Sequence, residues 1–150
     1  RNAFKGRTVV ICEKEHSDED ALQVVEHIYQ TLGMPIRYMS AEEQDTHCAY
    51  VSHISHITSF ALALTVLEKE REEEHIFDLA AGGFESTVRL AKSLPQTWAP
   101  IFLGNKYNVL DVLREHIHQL QILRRMIERD DREGLIEAMK RANKIREILK

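Results

Sequence analysis

The sequence predicts a mainly α-helical chain that opens with a short β-α-β unit, and three observations carry that reading. Strand-type runs are confined to the first forty residues. Apolar residues recur at helical spacing from Ser40 onward, and only six Gly and three Pro interrupt 150 residues. Apolar residues make up 43% and charged residues 29%, a globular composition that excludes collagen-like and disordered chains. Twenty Lys and Arg against 24 Asp and Glu leave a formal charge of −4. Without a basic excess to meet a phosphate backbone, nucleic acid is not an expected partner.

The elements follow in order. Arg7-Thr-Val-Val-Ile-Cys12 is a β-branched run of strand type. Ser17 is the expected N-cap of a helix, with Asp18, Glu19 and Asp20 favouring its positive end. Leu22, Val25, Ile28, Tyr29 and Leu32 form its apolar face, and Gly33 stops it. Pro35 to Met39 reads as a second strand, and the connection has the length that a parallel pair requires. Two strands and one helix cannot cover both of their faces, so residues 1–40 look like the tail of a larger α/β sheet.

Ser40 and Glu43 have capping-box spacing and start a long helix expected to reach about Glu74. A shorter helical piece is expected from His75 to Ala81, ended by Gly82-Gly83. Another should run from Phe84 to Ser93, and a long amphipathic helix from Gln96 to Arg129. Asp130-Asp131 breaks and recaps the chain before a last helix lined by Leu135, Ala138, Met139, Ala142, Ile145 and Leu149. Helices this long and apolar suggest a bundle that buries surface against a second copy. Thr46 to Leu67 carries no Asp, Glu, Lys or Arg and is long enough to span a bilayer. Its His47, His53, His56, Ser and Thr residues favour a helix buried inside protein, so no membrane is expected.

At 100° per residue, Asp45, Ser52, His56 and Ser59 fall within about 40° of one another on that helix. Such a stripe can wall a polar pocket, or it can be a hydrogen-bond network satisfied inside the bundle. His53 and His56 permit shared metal ligation, but no HExxH arrangement or Cys pair supports them. His116 and His118 diverge, and no metal is expected. Gly82-Gly83 before a helix, with Arg89 two turns on, can hold an anion, Arg89 gripping a carboxylate with two parallel bonds. The alternative is a C-cap glycine pair and a surface arginine. Trp98, the one Trp, reads first as a core anchor. Glycines at 6, 33, 82, 83, 104 and 134 form no GxGxxG, P-loop or GxSxG, and no activated nucleophile is evident. Cys12 and Cys48 form no CxxC pair or disulfide framework, which fits a reducing cytoplasm. The chain shows no secretory signal and starts at Arg1 without Met, which suggests an excised segment or processing.

Val51-Ser-His-Ile-Ser-His56, Ala81-Gly-Gly-Phe84, Val88 to Ser93, Pro95-Gln-Thr-Trp98 and Ile101 to Val109 stand in the order and spacing of prephenate dehydrogenases, and the chain resembles that family over nearly its whole length. The resemblance implies an NAD(P)-binding Rossmann domain followed by an all-helical dimerisation domain. It also implies oxidative decarboxylation of prephenate to 4-hydroxyphenylpyruvate in tyrosine biosynthesis. Residues 1–40 would then be the β-α-β end of the Rossmann-type domain, and residues 41–150 the helical dimerisation and substrate-binding domain. Arg89 matches the family arginine for a substrate carboxylate, and His56 and Ser52 match the Ser-His-x-x-His motif facing the cleft. Gly82 and Trp98 match positions lining the substrate or tyrosine-effector pocket, and Asp45 an acidic residue of the cleft region. Gln44, Ser55, Glu85 and Ser86 depart from the family pattern at the cleft rim. The glycine fingerprint and catalytic histidine of the family would lie upstream of Arg1. The chain alone is therefore expected to bind no NAD and to be inactive, with no catalytic residue of its own. The partners implied are a second copy, prephenate and tyrosine as effector. Alternatives are an arogenate or dual-specificity dehydrogenase, or a non-catalytic helical dimerisation or ligand-sensing module.

Overall fold

The computed structural model describes residues 3–149. The chain forms two compact units divided between Val109 and Leu110. In the first, β1 (Val9–Cys12) and β2 (Ile36–Met39) pair in parallel, with Val9 opposite Ile36 and Cys12 opposite Met39. The connection is α1 (Glu19–Thr31), so the β-α-β expectation holds. Its N-cap is Asp18 and not Ser17, with no side-chain cap bond; the acidic first turn alone meets the positive helix end. Gly33, at φ 70°, closes α1 in the left-handed region where glycine carries no penalty.

Two contacts join this unit to the helices. The Ala41 N–H donates to Glu13 Oε1 at 2.6 Å, tying the end of β1 to the start of α2 (Ala41–Cys48). Ser40 and Glu43 form the full capping box: Ser40 Oγ accepts from the Glu43 N–H at 3.1 Å, and Glu43 Oε2 accepts from the Ser40 N–H at 2.9 Å. The Ser40 N–H, and then its hydroxyl, hold the Glu43 carboxyl below its ordinary pKa.

Helix α2 passes into a π-helical turn, Ala49–His53, and then α3 (Ile54–Glu70). The helix ends four residues before the expected Glu74. The Glu70 carboxylate turns back to accept from the N–H groups of His75 and Phe77, both at 3.2 Å. In place of a helical piece over 75–81 there is only a 3-10 turn, Phe77–Leu79. Gly82 and Gly83 do not terminate it; they open α4 (Gly82–Val88), which passes into a 3-10 turn, Arg89–Lys92. The single helix expected from Gln96 to Arg129 is two. Pro95 occupies the first turn of α5 (Pro95–Gly104), where its missing N–H costs nothing, and Asn105 breaks the path before α6 (Lys106–Glu128).

The second unit holds the rest of α6, with α7 (Arg132–Ala142) and α8 (Ile145–Ile148). Asp130 adopts φ 53°, which a short polar side chain tolerates, and Asp131 Oδ1 accepts from the Gly134 N–H at 2.9 Å to cap α7. The expected break and recap are both present.

Burial departs most from expectation. Among the described residues, Ala49, Val109 and Val112 are the buried apolar side chains, and His53 and Ser59 the buried polar ones. The uncharged helix does not lie inside this chain: Val51 is 75% and Leu64 66% exposed. By length and composition alone, Ala41–Glu70 could cross a membrane. Among the described residues, Leu64 and Leu67 of α3, Leu103 of α5 and Leu110, Leu120 and Ile127 of α6 are exposed.

Ser40→Ala removes one half of the capping box and should lower stability by about 1 kcal/mol, read as a fall in the urea midpoint. Ser55→Ala, whose hydroxyl bonds only back to the Val51 carbonyl within its own helix, should change stability by less than about 0.5 kcal/mol. Equal effects of the two would contradict the assignment of the cap.

Candidate functional site

The site is built on the π turn. Its extra residue advances every later side chain by about 100° relative to an uninterrupted α-helix. The π turn thus interrupts the constant spacing between Asp45 and the later side chains, and Asp45 is the acidic neighbour of His53. The stripe splits into three local arrangements.

The first is the stack of His56 on Trp98, with ring centroids 3.3 Å apart and planes inclined by 23°. The His56 Nδ1–H donates to the Ser52 carbonyl at 3.0 Å, since a carbonyl can only accept. That bond fixes the tautomer and leaves Nε2 as the ring's acceptor when neutral. Trp98 is half-buried and also packs on Phe102 at 5.5 Å. The structure thus brings Ser52, His56 and Trp98 together.

The second arrangement surrounds His53, which is only 8% exposed. Its ring meets Trp98 and Phe102 edge-on at 6.2 and 6.4 Å. Asn105 Nδ2 lies 3.4 Å from His53 Nδ1 and donates to the Asp45 carbonyl at 2.7 Å. Burial pushes the His53 pKa below 6.5; Asp45 opposes that shift, and His56 adds to it. His53 is therefore neutral at pH 7, and its Nδ1 lone pair can accept from Asn105.

Ser59 makes the third. It is 1% exposed; its Oγ donates to the Thr87 carbonyl and accepts from the Ala91 N–H, each at 3.0 Å. These bonds pin the turn containing Arg89 to α3. Arg89 itself is exposed, and among the described residues no carboxylate forms a salt bridge with it. Glu85, four residues before it, pairs with Lys92 at 3.8 Å. Gly82 begins α4, has no positive φ, and a Cβ there would meet no atom within 4 Å. The chain's own packing does not explain a glycine at that position. A 320 Å³ apolar cavity lies nearby, lined by Val66, Ile76, Phe77, Leu79, Ala80 and Phe84, none of them a candidate site residue.

Chemically, an aromatic face, a histidine acceptor and an unpaired guanidinium suit an aromatic carboxylate. Among the described residues, no three His, Cys, Asp or Glu side chains gather as a metal would require. The six glycines supply no dinucleotide cradle. Asn105 and the structural use of His53 were missed in the sequence, where His53 was weighed only as a metal ligand. The Gly104-Asn105 pair is a turn signal that would have placed the helix break.

Comparison with known proteins is consistent across sequence and fold. The family profile described as "Prephenate dehydrogenase, dimerization domain" matches residues 40–141. A cyclohexadienyl dehydrogenase of Zymomonas mobilis is 31% identical over 98% of this chain and 50% of its own length. A prephenate dehydrogenase of Bacillus subtilis is 28% identical over 97% of this chain and 39% of its own length. The chain thus spans half or less of these relatives. The crystal structure of prephenate dehydrogenase from Aquifex aeolicus, in complex with hydroxyphenyl propionate and NAD+, superposes with a TM-score of 0.89 at 32% identity. It covers 99% of this chain and 52% of that one. A Synechocystis arogenate dehydrogenase shares the fold, with a TM-score of 0.81 at 22% identity over 97% of this chain and 53% of that one.

Ser59→Ala strands the Thr87 carbonyl and the Ala91 N–H. It should cost about 1–3 kcal/mol and accelerate hydrogen exchange at the Ala91 amide. Unchanged Ala91 protection would show that Ser59 does not hold the Arg89 turn.

Proposed function

Because this chain belongs to the prephenate dehydrogenase family, we propose that it is the helical, dimer-forming and substrate-binding portion of an enzyme that oxidatively decarboxylates prephenate to 4-hydroxyphenylpyruvate, with NAD+ or NADP+, in tyrosine biosynthesis. In this reading residues 1–40 close a nucleotide-binding domain and residues 41–150 form the dimerisation domain. The start of the family match at residue 40 supports that boundary.

The observation that carries the reading is Arg89: an exposed guanidinium without a carboxylate partner, on a turn anchored by a buried serine, within the matched domain. Two parallel N–H donors from Arg89 bind a substrate carboxylate, and the His56–Trp98 stack lies against the ring. Ser52 fixes the His56 tautomer, Gly82 leaves room for close approach, and Asp45 borders the cleft beside His53. The NAD+ and hydroxyphenyl propionate of the Aquifex complex support a nicotinamide cofactor and an aromatic carboxylate ligand. The residues present form no site for the cofactor, so none of them is assigned to hydride transfer, and the chain by itself is expected to be inactive. Tyrosine, with its own ring and carboxylate, is the effector that would fit the same cleft.

A second copy of the chain is the proposed cover for the exposed apolar side chains, including those of α3, in place of a bilayer. Both cysteines are free, which supports a cytoplasmic location. The cyclohexadienyl relative favours testing arogenate beside prephenate.

In the dehydrogenase containing this chain, Arg89→Ala should raise the KM for prephenate by more than about tenfold, the loss of a charge-assisted bond of roughly 1.5–3 kcal/mol. A change below about threefold would remove Arg89 from the site. Failure to reduce the cofactor with either prephenate or arogenate would remove the dehydrogenase reading.

A further inference from the structure

We propose that Asn105 and His53 are positioning residues that key helix α5 to the π turn and so set the Trp98–His56 stack. The inference rests on the reading of that stack as substrate-binding. Asn105 uses each polar atom of its side chain. Nδ2 donates to the Asp45 carbonyl at 2.7 Å and reaches His53 Nδ1 at 3.4 Å, while Oδ1 accepts from Asn108 Nδ2 at 2.8 Å. Asn108 Oδ1 in turn accepts from Thr46 Oγ1 at 3.4 Å. The bridge therefore runs between the end of α2 and the break joining α5 to α6, where Asn105 leaves helical geometry. Aspartate has no donor for the carbonyl, and an aliphatic side chain would leave it unmet.

Trp98 sits between two histidines of one helical path. His56 covers its face, and His53 meets it edge-on from the buried side. With Asn105 holding His53 and the end of α5 together, the indole has one placement. The charged groups facing His53 are Asp45, which favours its protonation, and His56, which opposes it; α5 carries no ionisable side chain. Neutral His53 accepts from the amide, and protonated His53 presents a donor to a donor. Because burial lowers the folded pKa below 6.5, the stability from the neutral ring is fully present above that value. It is lost as pH falls through the folded value.

Trp98 is the single Trp of this chain, so its emission reports the stack directly. In the 150-residue chain, Asn105→Ala should shift Trp98 emission while far-UV circular dichroism is unchanged, and His53→Asn, whose side-chain oxygen stands near the place of Nδ1, should shift it less than His53→Ala does. Asn105→Asp should raise the His53 midpoint, followed by imidazole NMR, by about one pH unit or more, as an opposite charge within a few ångströms does. In the intact enzyme, Asn105→Ala should raise KM about three- to tenfold with kcat within about twofold, the loss of one or two net hydrogen bonds. Unmoved Trp98 emission in folded Asn105→Ala, or an unmoved His53 midpoint in Asn105→Asp, overturns the positioning role. If the wild-type enzyme turns over neither prephenate nor arogenate, the functional reading fails, and the emission and titration results still decide the role of Asn105.

Discussion

The helices after residue 40 carry well-formed apolar faces that this chain does not close. Leu64, Leu67, Leu110, Ile117, Leu120, Ile127 and Met139 are all more than two-fifths exposed, and among the described residues the buried apolar set is three side chains. Helices of this kind gain most of their stability from packing an amphipathic face and little from propensity. A second copy of the chain is the proposed source of cover for these side chains.

What the chain does close by itself is polar and specific. His53 and Ser59 are its buried polar residues, and both make bonds that cross between elements. Ser59 fixes the turn that carries Arg89, and His53 with Asn105 fixes the end of the helix that carries Trp98. Apolar contact alone would let these segments slide, whereas a buried hydrogen bond has one satisfied geometry. The two ends of the proposed ligand, carboxylate and ring, are thus placed by two separate polar anchors on one helical path. The π turn lies within that path, and its last residue, His53, meets Trp98 edge-on.

Much of this was legible in the sequence because the relevant signals are local. Val9-Val10-Ile11 and Ile36 to Met39 are short strand runs on either side of a helix of crossover length. The Ser40 and Glu43 box and the Asp131 cap depend on side chains three residues from their donors. Of the candidates Ser52, His56 and Trp98, His56 stacks on Trp98 and bonds to the Ser52 backbone carbonyl. The stripe through Asp45 assumes a constant 100° per residue, which the π turn at Ala49–His53 interrupts, and no residue of Ala49-Tyr-Val-Ser-His53 announces that turn. Gly82-Gly83 was first read as an end because glycine punctuates both termini, and only the contacts of α4 show that it begins there. Burial was overestimated for the uncharged helix for a different reason: composition records a need for cover but not which molecule provides it.

The central claim, that the helical fold is completed by a second copy, is tested most directly by sedimentation equilibrium of the 150-residue chain over a dilution series, with the thermal midpoint recorded at each concentration. A dimer that dissociates and unfolds in one transition, with a midpoint that rises with concentration, is the expected result. A folded monomer with a concentration-independent midpoint would contradict it.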